Sequence, residues 1–367
     1  METRYIRTTN GNGDSSSRKC SKTKQSKAWK LWIVPFILFQ HGVLAAEKVD
    51  PTLVPNVFAP ESAPARSISH LGGFVLAITA AIFIVVAGLL VYTIVRFRRR
   101  ANDDGLEPAQ VYGSGSIETA WTTVPFLIVL VLTFTTARII HEVQDARKPV
   151  AALDVQVIGH QWWWEFRYPK LGIVTANELH VPVSEGGNRM PTFLELRSAD
   201  VVHSFWVPRL AGKTDLIPNK VNSMWIEPDR PGLFLGQCAK YCGTQHANML
   251  IRVYADTPEE FERWVKQQQK IAVEDPAAAA GRLVFERTAC INCHTVNGTV
   301  ANGRFGPDLT HLMSRDTVAS GALNNTPEGL RAWIKSPDQF KPGALMPAMN
   351  LNDSELDQLV AYLGTLK

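Results

Sequence analysis

Residues 238–249 read Cys238-Ala-Lys-Tyr-Cys242-Gly-Thr-Gln-His246-Ala-Asn-Met249, a C-x3-C-x3-H-x2-M pattern that constrains the fold of the middle of the chain. Two thiolates, an imidazole and a thioether so close together form a soft ligand set, which selects copper over hard cations. A second imidazole must come from elsewhere, and His203 is the candidate, at the expected end of a strand. The sequence therefore predicts a copper site shared between this loop and His203.

Two alternatives use the same residues. A structural zinc site could take the two cysteines and two histidines, although Met249 would then have no role. A disulfide between Cys238 and Cys242 is the other alternative in an outer compartment. Of the five cysteines, Cys20 lies near the N-terminus and the other four form two close pairs, so none is left over for further structural disulfides.

The copper loop lies in a region of short runs rich in Val, Ile, Trp and Phe, from about residue 150 to 256. Turn signals with Pro, Gly, Asn and Asp separate these runs, and that spacing is typical of a β-sandwich or barrel. We predict strands over 153–158, 162–168, 192–197, 220–226 and 249–254.

Upstream of this domain, residues 47–145 contain two apolar runs, at about 71–95 and 118–140, each long enough to span a lipid bilayer. Arg96, Arg98, Arg99 and Arg100 follow the first run, and the positive-inside rule places them in the cytoplasm. Everything after His141 then lies on the outer face. The alternative, a buried helical hairpin of a soluble protein, fits the run lengths and the arginine cluster poorly.

Residues 1–46 resemble a secretory leader, with a basic segment, an apolar run and small residues at Ala45 and Ala46. An uncleaved first membrane helix is the alternative. The net charge of +4 comes largely from this segment and the arginine cluster, so we expect no nucleic-acid partner.

The motif Cys290-Ile-Asn-Cys293-His294 is typical of covalent haem c attachment. Two thiols form thioethers to the haem vinyl groups, and the adjacent histidine supplies an axial nitrogen. A redox-active dithiol is the alternative. Residues 305–309 follow at loop distance, where a backbone carbonyl could orient His294. Met346 could supply the sixth ligand, with Met349 and Met313 as alternatives, and a Met/His pair raises the reduction potential.

The region around this motif is predicted to be helical. Thr257, Pro258 and Glu260 form a capping box that starts a linker helix within residues 257–276, before an alanine-rich seam. Residues 277–367 then form a small all-α domain with helices near 276–288, 326–335 and 352–366. We expect three aromatic residues to pack around the haem, namely Phe285, Trp333 and Tyr362.

Two resemblances follow from these motifs. Residues 278–367 resemble a class I cytochrome c, including Gly281 and Phe285 on the first helix and residues 359–362 on the last, where such proteins cross their terminal helices. Residues 65–268 resemble subunit 2 of cytochrome c oxidase. That second resemblance is carried by the two spans, Gly159-His-Gln-Trp-Trp-Trp164, His203-Ser-Phe205, Lys213-Thr-Asp215 and the 238–249 loop. Together they resemble the caa-type bacterial oxidase.

The resemblance implies a cupredoxin fold that holds a binuclear copper centre, CuA, beside one covalent haem c. Cys238 and Cys242 would bridge both coppers, and His203 and His246 would be terminal ligands. Met249 and the backbone oxygen of Lys240 would be the weak ligands. Trp162, Trp163 and Trp164 match the aromatic patch where such subunits accept electrons, although burial in the sandwich is the alternative for at least one of them.

Two further positions depend on the resemblance. Glu118, in an Ile-Glu-Thr-x-Trp segment, matches a residue that admits protons to the partner subunit, or it is simply a carboxylate at a helix N-terminus. Lys240 stands where the family commonly has glutamate, which also reaches a Mg²⁺ ion at the interface with subunit 1. An ammonium group cannot ligate Mg²⁺, so the resemblance does not carry that metal to this chain.

The expected function is therefore electron entry into a haem–copper oxidase of the bacterial cell membrane. Electrons would pass from haem c through CuA to subunit 1, where oxygen is reduced to water and protons are translocated. Expected partners are subunits 1 and 3, with soluble cytochrome c or a quinol:cytochrome c reductase as donor. The alternatives are a quinol-oxidase scaffold, a free-standing tethered electron carrier and a copper-delivery protein.

Overall fold

Two long helices follow the apolar runs, α1 (Ala63–Arg96) and α2 (Gly115–Gln144). The computed structural model describes residues 54–98, 110, 112–144, 148–149, 152–185, 187, 189–273 and 275–367. The predicted leader, 1–46 with Cys20, lies outside the described residues, as do Arg99 and Arg100. Both helices extend beyond the predicted spans, and both are long and apolar enough to cross a membrane. Their apolar side chains face outward, as lipid contact requires, which agrees with the predicted hairpin.

The copper loop belongs to a domain of two five-stranded sheets. The first sheet contains, in spatial order, β3 (Ile173–Ala176), β2 (Trp163–Tyr168), β1 (Leu153–His160), β5 (Thr192–Ser198) and β8 (Asn222–Ile226). The second contains β4 (Glu178–Pro182), β10 (Leu250–Asp256), β9 (Gly232–Cys238), β6 (His203–Trp206) and β7 (Thr214–Leu216). The β1–β5 and β4–β10 pairs are parallel and the other pairs are antiparallel.

The sandwich core forms because alternate side chains of each strand point inward. In β10, for example, Ile251, Val253 and Ala255 are buried while the intervening residues are partly exposed. The largest fully buried side chains include Trp164, Phe166, Tyr168 and Phe205. All five predicted strands are present, and the predicted β-sandwich is confirmed.

The membrane hairpin is joined to this domain by polar contacts. Trp225 Nε1 on β8 donates to the backbone oxygen of Val143 on α2 at 2.8 Å. Arg66, in the first turns of α1, forms an ion pair with Asp229. Ser62, just before α1, accepts a hydrogen bond from the backbone N–H of Glu227. The sandwich is therefore anchored directly on the helix ends.

The predicted capping box is present at α3 (Pro258–Gln268), where Thr257 and Glu260 bond reciprocally to each other's backbone N–H. The C-terminal domain then contains α4 (Ala279–Arg287), α5 (Cys290–Cys293), α6 (Pro327–Lys335), α7 (Pro337–Phe340), α8 (Asp353–Leu363) and a short ladder of β11 (Thr317–Val318) and β12 (Leu323–Asn324). Thr326 and Asn352 cap α6 and α8 as predicted.

Helices α4 and α8 cross at a glycine. A Cβ added at Gly281 would lie 1.9 Å from the backbone oxygen of Gln358 and 2.7 Å from Cβ of Tyr362. Phe285 and Tyr362 pack beside this crossing with ring centroids 5.7 Å apart. The position therefore accepts no side chain unless the two helices separate.

Gly281→Ala should destabilise the C-terminal domain by about 1–3 kcal/mol, because the added methyl group overpacks the helix crossing. Thermal unfolding of the purified chain, followed by haem absorbance, measures this change. Leu283→Ala, on the exposed side of the same helix, is the matched control and should have nearly the wild-type midpoint. Equal midpoints for the two variants would contradict the proposed crossing.

Candidate metal centre and haem cavity

The copper ligands predicted from sequence lie together at one end of the sandwich. Cys238 ends β9, Cys242 follows in the loop, and Met249 directly precedes β10. The two Sγ atoms are 3.8 Å apart, and Cys242 Sγ lies 3.6 Å from His246 Nδ1 and 3.9 Å from Met249 Sδ. The antiparallel β9–β10 pairing fixes both ends of the loop, so its four soft ligand groups converge on one point.

His203, at the start of β6, completes this cluster from a neighbouring strand. One ligand atom of His203 and the sulfurs of Cys238 and Cys242 all lie within 4.8 Å of one another, and all three residues are buried. His203 Nε2 is 2.7 Å from the Asp200 carboxylate, whereas its Nδ1 is buried and has no hydrogen-bond partner among the described residues. A buried nitrogen aimed at two thiols without a partner fits a metal ligand.

Close packing fixes the ring of His203. A Cβ on Gly159 of β1 would lie 2.8 Å from Cδ2 of this histidine, so only glycine leaves room for the ring. Asp200 is held in turn by the backbone N–H groups of Gln161 and Val201, each at 2.6 Å. Sequence reasoning missed Asp200, although an acidic residue three positions before a candidate ligand histidine was a usable signal.

Lys240 places its backbone oxygen 3.2 Å from Cys238 Sγ, while its side chain is exposed. The geometry is compatible with the predicted weak carbonyl ligand, which any residue type could supply. The ammonium group points to solvent, where it offers no oxygen ligand to a hard cation.

The two cysteines have opposite pKa shifts because they share one site. The contact with Cys242 lowers the pKa of the Cys238 thiol, and His203 and nearby backbone N–H groups lower it further. The same contact raises the pKa of the Cys242 thiol, together with burial. The pair therefore favours ionisation of the Cys238 thiol first, and binding of a metal by both sulfurs would release the protons they carry.

The haem motif forms a single turn, α5, followed by His294 in extended conformation. His294 Nδ1 donates to the backbone oxygen of Pro307 at 2.7 Å, within the 305–309 segment that the sequence predicted for this role. Burial lowers the pKa of His294, which favours the neutral ring, and the bond from Nδ1 makes Nε2 the candidate ligand atom. A Cβ on Gly306 would lie 2.6 Å from the ring, so the loop packs closely against it.

A cavity of about 380 Å³ adjoins this motif. Cys290, Cys293, His294 and Met346 line it together with mostly apolar side chains, among them Leu309, Leu330, Trp333, Ile334 and Leu345. Met349 also lines the cavity, but Met313 packs in the helical core instead. The candidates for the sixth ligand are thereby reduced to Met346 and Met349.

Two aromatic predictions need correction. Phe285 and Tyr362 are buried at the α4–α8 crossing and are not among the residues that line the cavity. The reason is their position on the helix faces that pack against each other, whereas Trp333 on α6 faces the cavity as predicted.

A buried arginine supports haem as the occupant. Arg315 lines the cavity and donates through Nη2 to the backbone oxygen of Asp308 at 2.6 Å, but its buried Nε has no partner among the described residues. Haem carries two anionic propionates, and such a group would satisfy this donor. The two thiols, the neutral histidine and the unpartnered arginine donor therefore fit haem c.

The three tryptophans have different environments. Trp164 is fully buried between the sheets, with its ring 5.7 Å from Phe205, so the prediction of an exposed patch is wrong for this residue. It faces inward because side chains alternate along β2. Trp163 stacks on His160 at 4.2 Å. Trp162 and Trp163 both line the haem cavity, and Trp162 Nε1 donates to the backbone oxygen of Cys242 at 3.0 Å.

Glu118 lies in the first turn of α2, exposed within the hairpin, and accepts a hydrogen bond from the backbone N–H of Ser114 at 3.3 Å. This contact agrees with the alternative interpretation from sequence, in which Glu118 is a carboxylate at a helix N-terminus. The proton-entry role stays a prediction.

Comparisons with known families agree with this architecture. Residues 56–139 match the transmembrane domain of cytochrome c oxidase subunit II, residues 153–255 match its periplasmic domain, and residues 278–367 match cytochrome c. These families imply copper and haem c as cofactors. The matches to the transmembrane and periplasmic domains also indicate a membrane protein with a periplasmic domain.

Similar whole proteins include subunit 2 of cytochrome c oxidase from several bacteria. The protein of Alkalihalophilus pseudofirmus is 36% identical over 298 residues, covering 79% of this chain and 84% of its own length. That of Bacillus subtilis is 34% identical, covering 75% of this chain and 82% of the relative. Among solved structures, the periplasmic domain of subunit II from Bradyrhizobium japonicum is 30% identical with a TM-score of 0.31, covering 33% of this chain and 96% of that one. The chain belongs to the cytochrome c oxidase subunit 2 family, in the form that carries a cytochrome c domain.

Proposed function

We propose that this chain accepts electrons in its cytochrome c domain and passes them through its copper domain to catalytic subunit 1 of the oxidase. Bound haem c and CuA would each take up and release one electron at a time, while oxygen is reduced to water in subunit 1. Subunit 3 would belong to the same complex. The donor would be a soluble cytochrome c or a quinol:cytochrome c reductase, on the outer face of the bacterial inner membrane.

The main observation that supports this proposal is the position of Trp162. Its ring lines the haem cavity, and its Nε1 donates at 3.0 Å to the backbone oxygen of Cys242 in the copper loop. One side chain therefore adjoins both predicted redox sites. A continuous path of bonds and one hydrogen bond leads from the cavity wall to a predicted copper ligand.

The copper loop would hold two copper ions through residues that scarcely need to move. Cys238 and Cys242 would bridge the metals, His203 and His246 would be terminal ligands, and Met249 would be a weak ligand. The backbone oxygen of Lys240 would be the other weak ligand. Two strands and the Asp200 contact restrain these groups, so a change of oxidation state would require little reorganisation.

In the haem domain, Cys290 and Cys293 would attach the haem covalently and His294 would bind its iron. Met346 would be the second protein ligand of the iron, and a Met/His pair raises the reduction potential, as suits an electron carrier. Trp162 and Trp163 would be the residues through which electrons enter the copper domain. Glu118 would admit protons towards subunit 1, and Lys240 argues against the usual interface Mg²⁺ ion.

The Cys242→Ser variant should lose its copper and keep its haem, because a hydroxyl cannot replace a bridging thiolate. Metal and haem analysis of the wild-type chain should give two copper and one haem c, and the variant should lack the CuA electron paramagnetic resonance signal. Zinc in the wild-type chain, or electron flow to oxygen at full rate in the variant, would overturn the copper assignment.

Met346→Leu should remove the thioether–iron charge-transfer band and lower the reduction potential of the haem, because a Met/His pair raises that potential. Optical spectroscopy and a redox titration measure both effects. Met313→Leu is the matched control, since Met313 does not line the cavity. Loss of the band in Met349→Leu with its retention in Met346→Leu would assign the ligand to Met349 instead.

Trp162→Phe should slow electron transfer from haem c to CuA without changing either spectrum, because phenylalanine cannot donate to the Cys242 carbonyl. Flash-induced reduction of haem c, followed at the CuA band, gives the rate. Trp225→Phe, which removes an indole N–H bonded to Val143 and distant in role from both redox sites, is the matched control and should leave the rate unchanged. An unchanged rate in Trp162→Phe would exclude the proposed path.

A further inference from the structure

The haem domain and the copper domain share an interface that contains two buried ionisable groups. Glu178 of β4 is 2% exposed, and Lys341, directly after α7, is 3% exposed. Each belongs to one domain and bonds to the backbone of the other. All the described residues belong to one compact unit, Val49–Lys367.

Glu178 accepts hydrogen bonds from the haem domain. Its carboxylate receives the backbone N–H groups of Asp316 and Thr317, each at 3.0 Å, and the Thr317 hydroxyl at 3.0 Å. Arg252 lies 3.7 Å away on the neighbouring strand β10. Burial raises the pKa of this carboxyl, and the hydrogen bonds from the Asp316 backbone and the Thr317 hydroxyl partly oppose that effect.

Lys341 belongs to the haem domain and donates a hydrogen bond to the copper domain. Its Nζ bonds to the backbone oxygen of Trp162 at 2.8 Å and to that of Ala319 at 3.0 Å. The same amine therefore holds the copper-domain tryptophan and a loop of the haem domain, and burial lowers the pKa of Lys341 to about 7. A buried polar group that loses its hydrogen-bond partners destabilises its surroundings, so each of these groups favours a single orientation of the domains.

Neutral contacts surround these two groups. Ser320 Oγ donates to the backbone oxygen of Leu250 at 3.1 Å, and Gln245 Nε2 donates to that of Pro342 at 2.9 Å. A Cβ on Gly343 would lie 3.7 Å from Cη2 of Trp162, so the backbone of the haem domain packs close to the indole ring. Trp162 is partly buried, and the haem domain covers part of it.

We propose that Glu178 and Lys341 hold the haem domain in one permanent position over Trp162, called the seat below. The haem domain then closes this face of the copper domain to soluble electron donors. The interface is then a constitutive contact within the chain, and an external donor has to dock on the haem domain. The exclusion of soluble electron donors rests on the proposed function. The seat itself, the fixed position of the haem domain, can be tested without metals or turnover.

Amide hydrogen exchange of the full chain tests the seat. The Asp316 and Thr317 amides should be protected in the wild type, and their exchange should become at least about tenfold faster in Glu178→Gln, because the side-chain amide has one acceptor oxygen where the carboxyl group has two. Glu195→Gln, on the partly exposed strand β5 and paired with Arg197, is the matched control and should leave both amides protected. Rapid exchange of these amides in the wild type would overturn the seat.

Hydroxyl-radical labelling, read by mass spectrometry, tests the closed face. Trp162 should be labelled more in Lys341→Met than in the wild type, while Lys335→Met, which changes an exposed lysine of α6, should match the wild type. Addition of a soluble class I cytochrome c should leave wild-type labelling of Trp162 unchanged. Protection of Trp162 by that added protein would show that the face is open and would overturn the proposal.

The two proposals fail in different ways. If the chain held no copper or haem, the electron path would be wrong, yet exchange and labelling would still report the seat. If both metals were present and transfer between them were fast, but Glu178→Gln and Lys341→Met behaved as wild type in both measurements, the seat alone would be wrong.

Discussion

The backbone oxygen of Cys242 is the point on which the two candidate redox sites depend. It accepts hydrogen bonds from Gln161 Nε2 at 2.7 Å and Trp162 Nε1 at 3.0 Å, both from the turn between β1 and β2. The copper loop is thereby tied to the sheet opposite the one that carries most of its ligands. Since Trp162 also adjoins the haem cavity, the loop conformation and the position of the haem domain are physically coupled.

The predictions from sequence are most accurate for features that depend on residues close together in the chain. Four soft ligands fall within one loop, and the capping residues Thr257, Thr326 and Asn352 precede helices that all form. Strands such as β3 and β7 escaped prediction because runs of three or four residues contain too little alternation. The single turns α5 and α7 are likewise too short for a periodic pattern.

Properties that depend on tertiary packing could not be predicted in this way. Three adjacent tryptophans look alike in sequence, yet only the register of β2 sends Trp164 into the core while its neighbours line the cavity. Asp200, Arg315 and Lys341 look like ordinary surface charges, and their burial or pairing emerges only when distant segments meet. The predicted sixth ligand likewise depends on which methionine of the 346–349 loop reaches the iron.

The short connection between Gln268 at the end of α3 and Asp275 before the haem domain has a kinetic consequence. A tether of this kind gives the haem domain an effective concentration on the order of millimolar at its own docking site. Renewed docking after any opening of this interface is then a first-order event that does not depend on donor abundance or on diffusion through the periplasm. Ionic strength should therefore influence the arrival of the external donor, while the step within the chain proceeds independently of it.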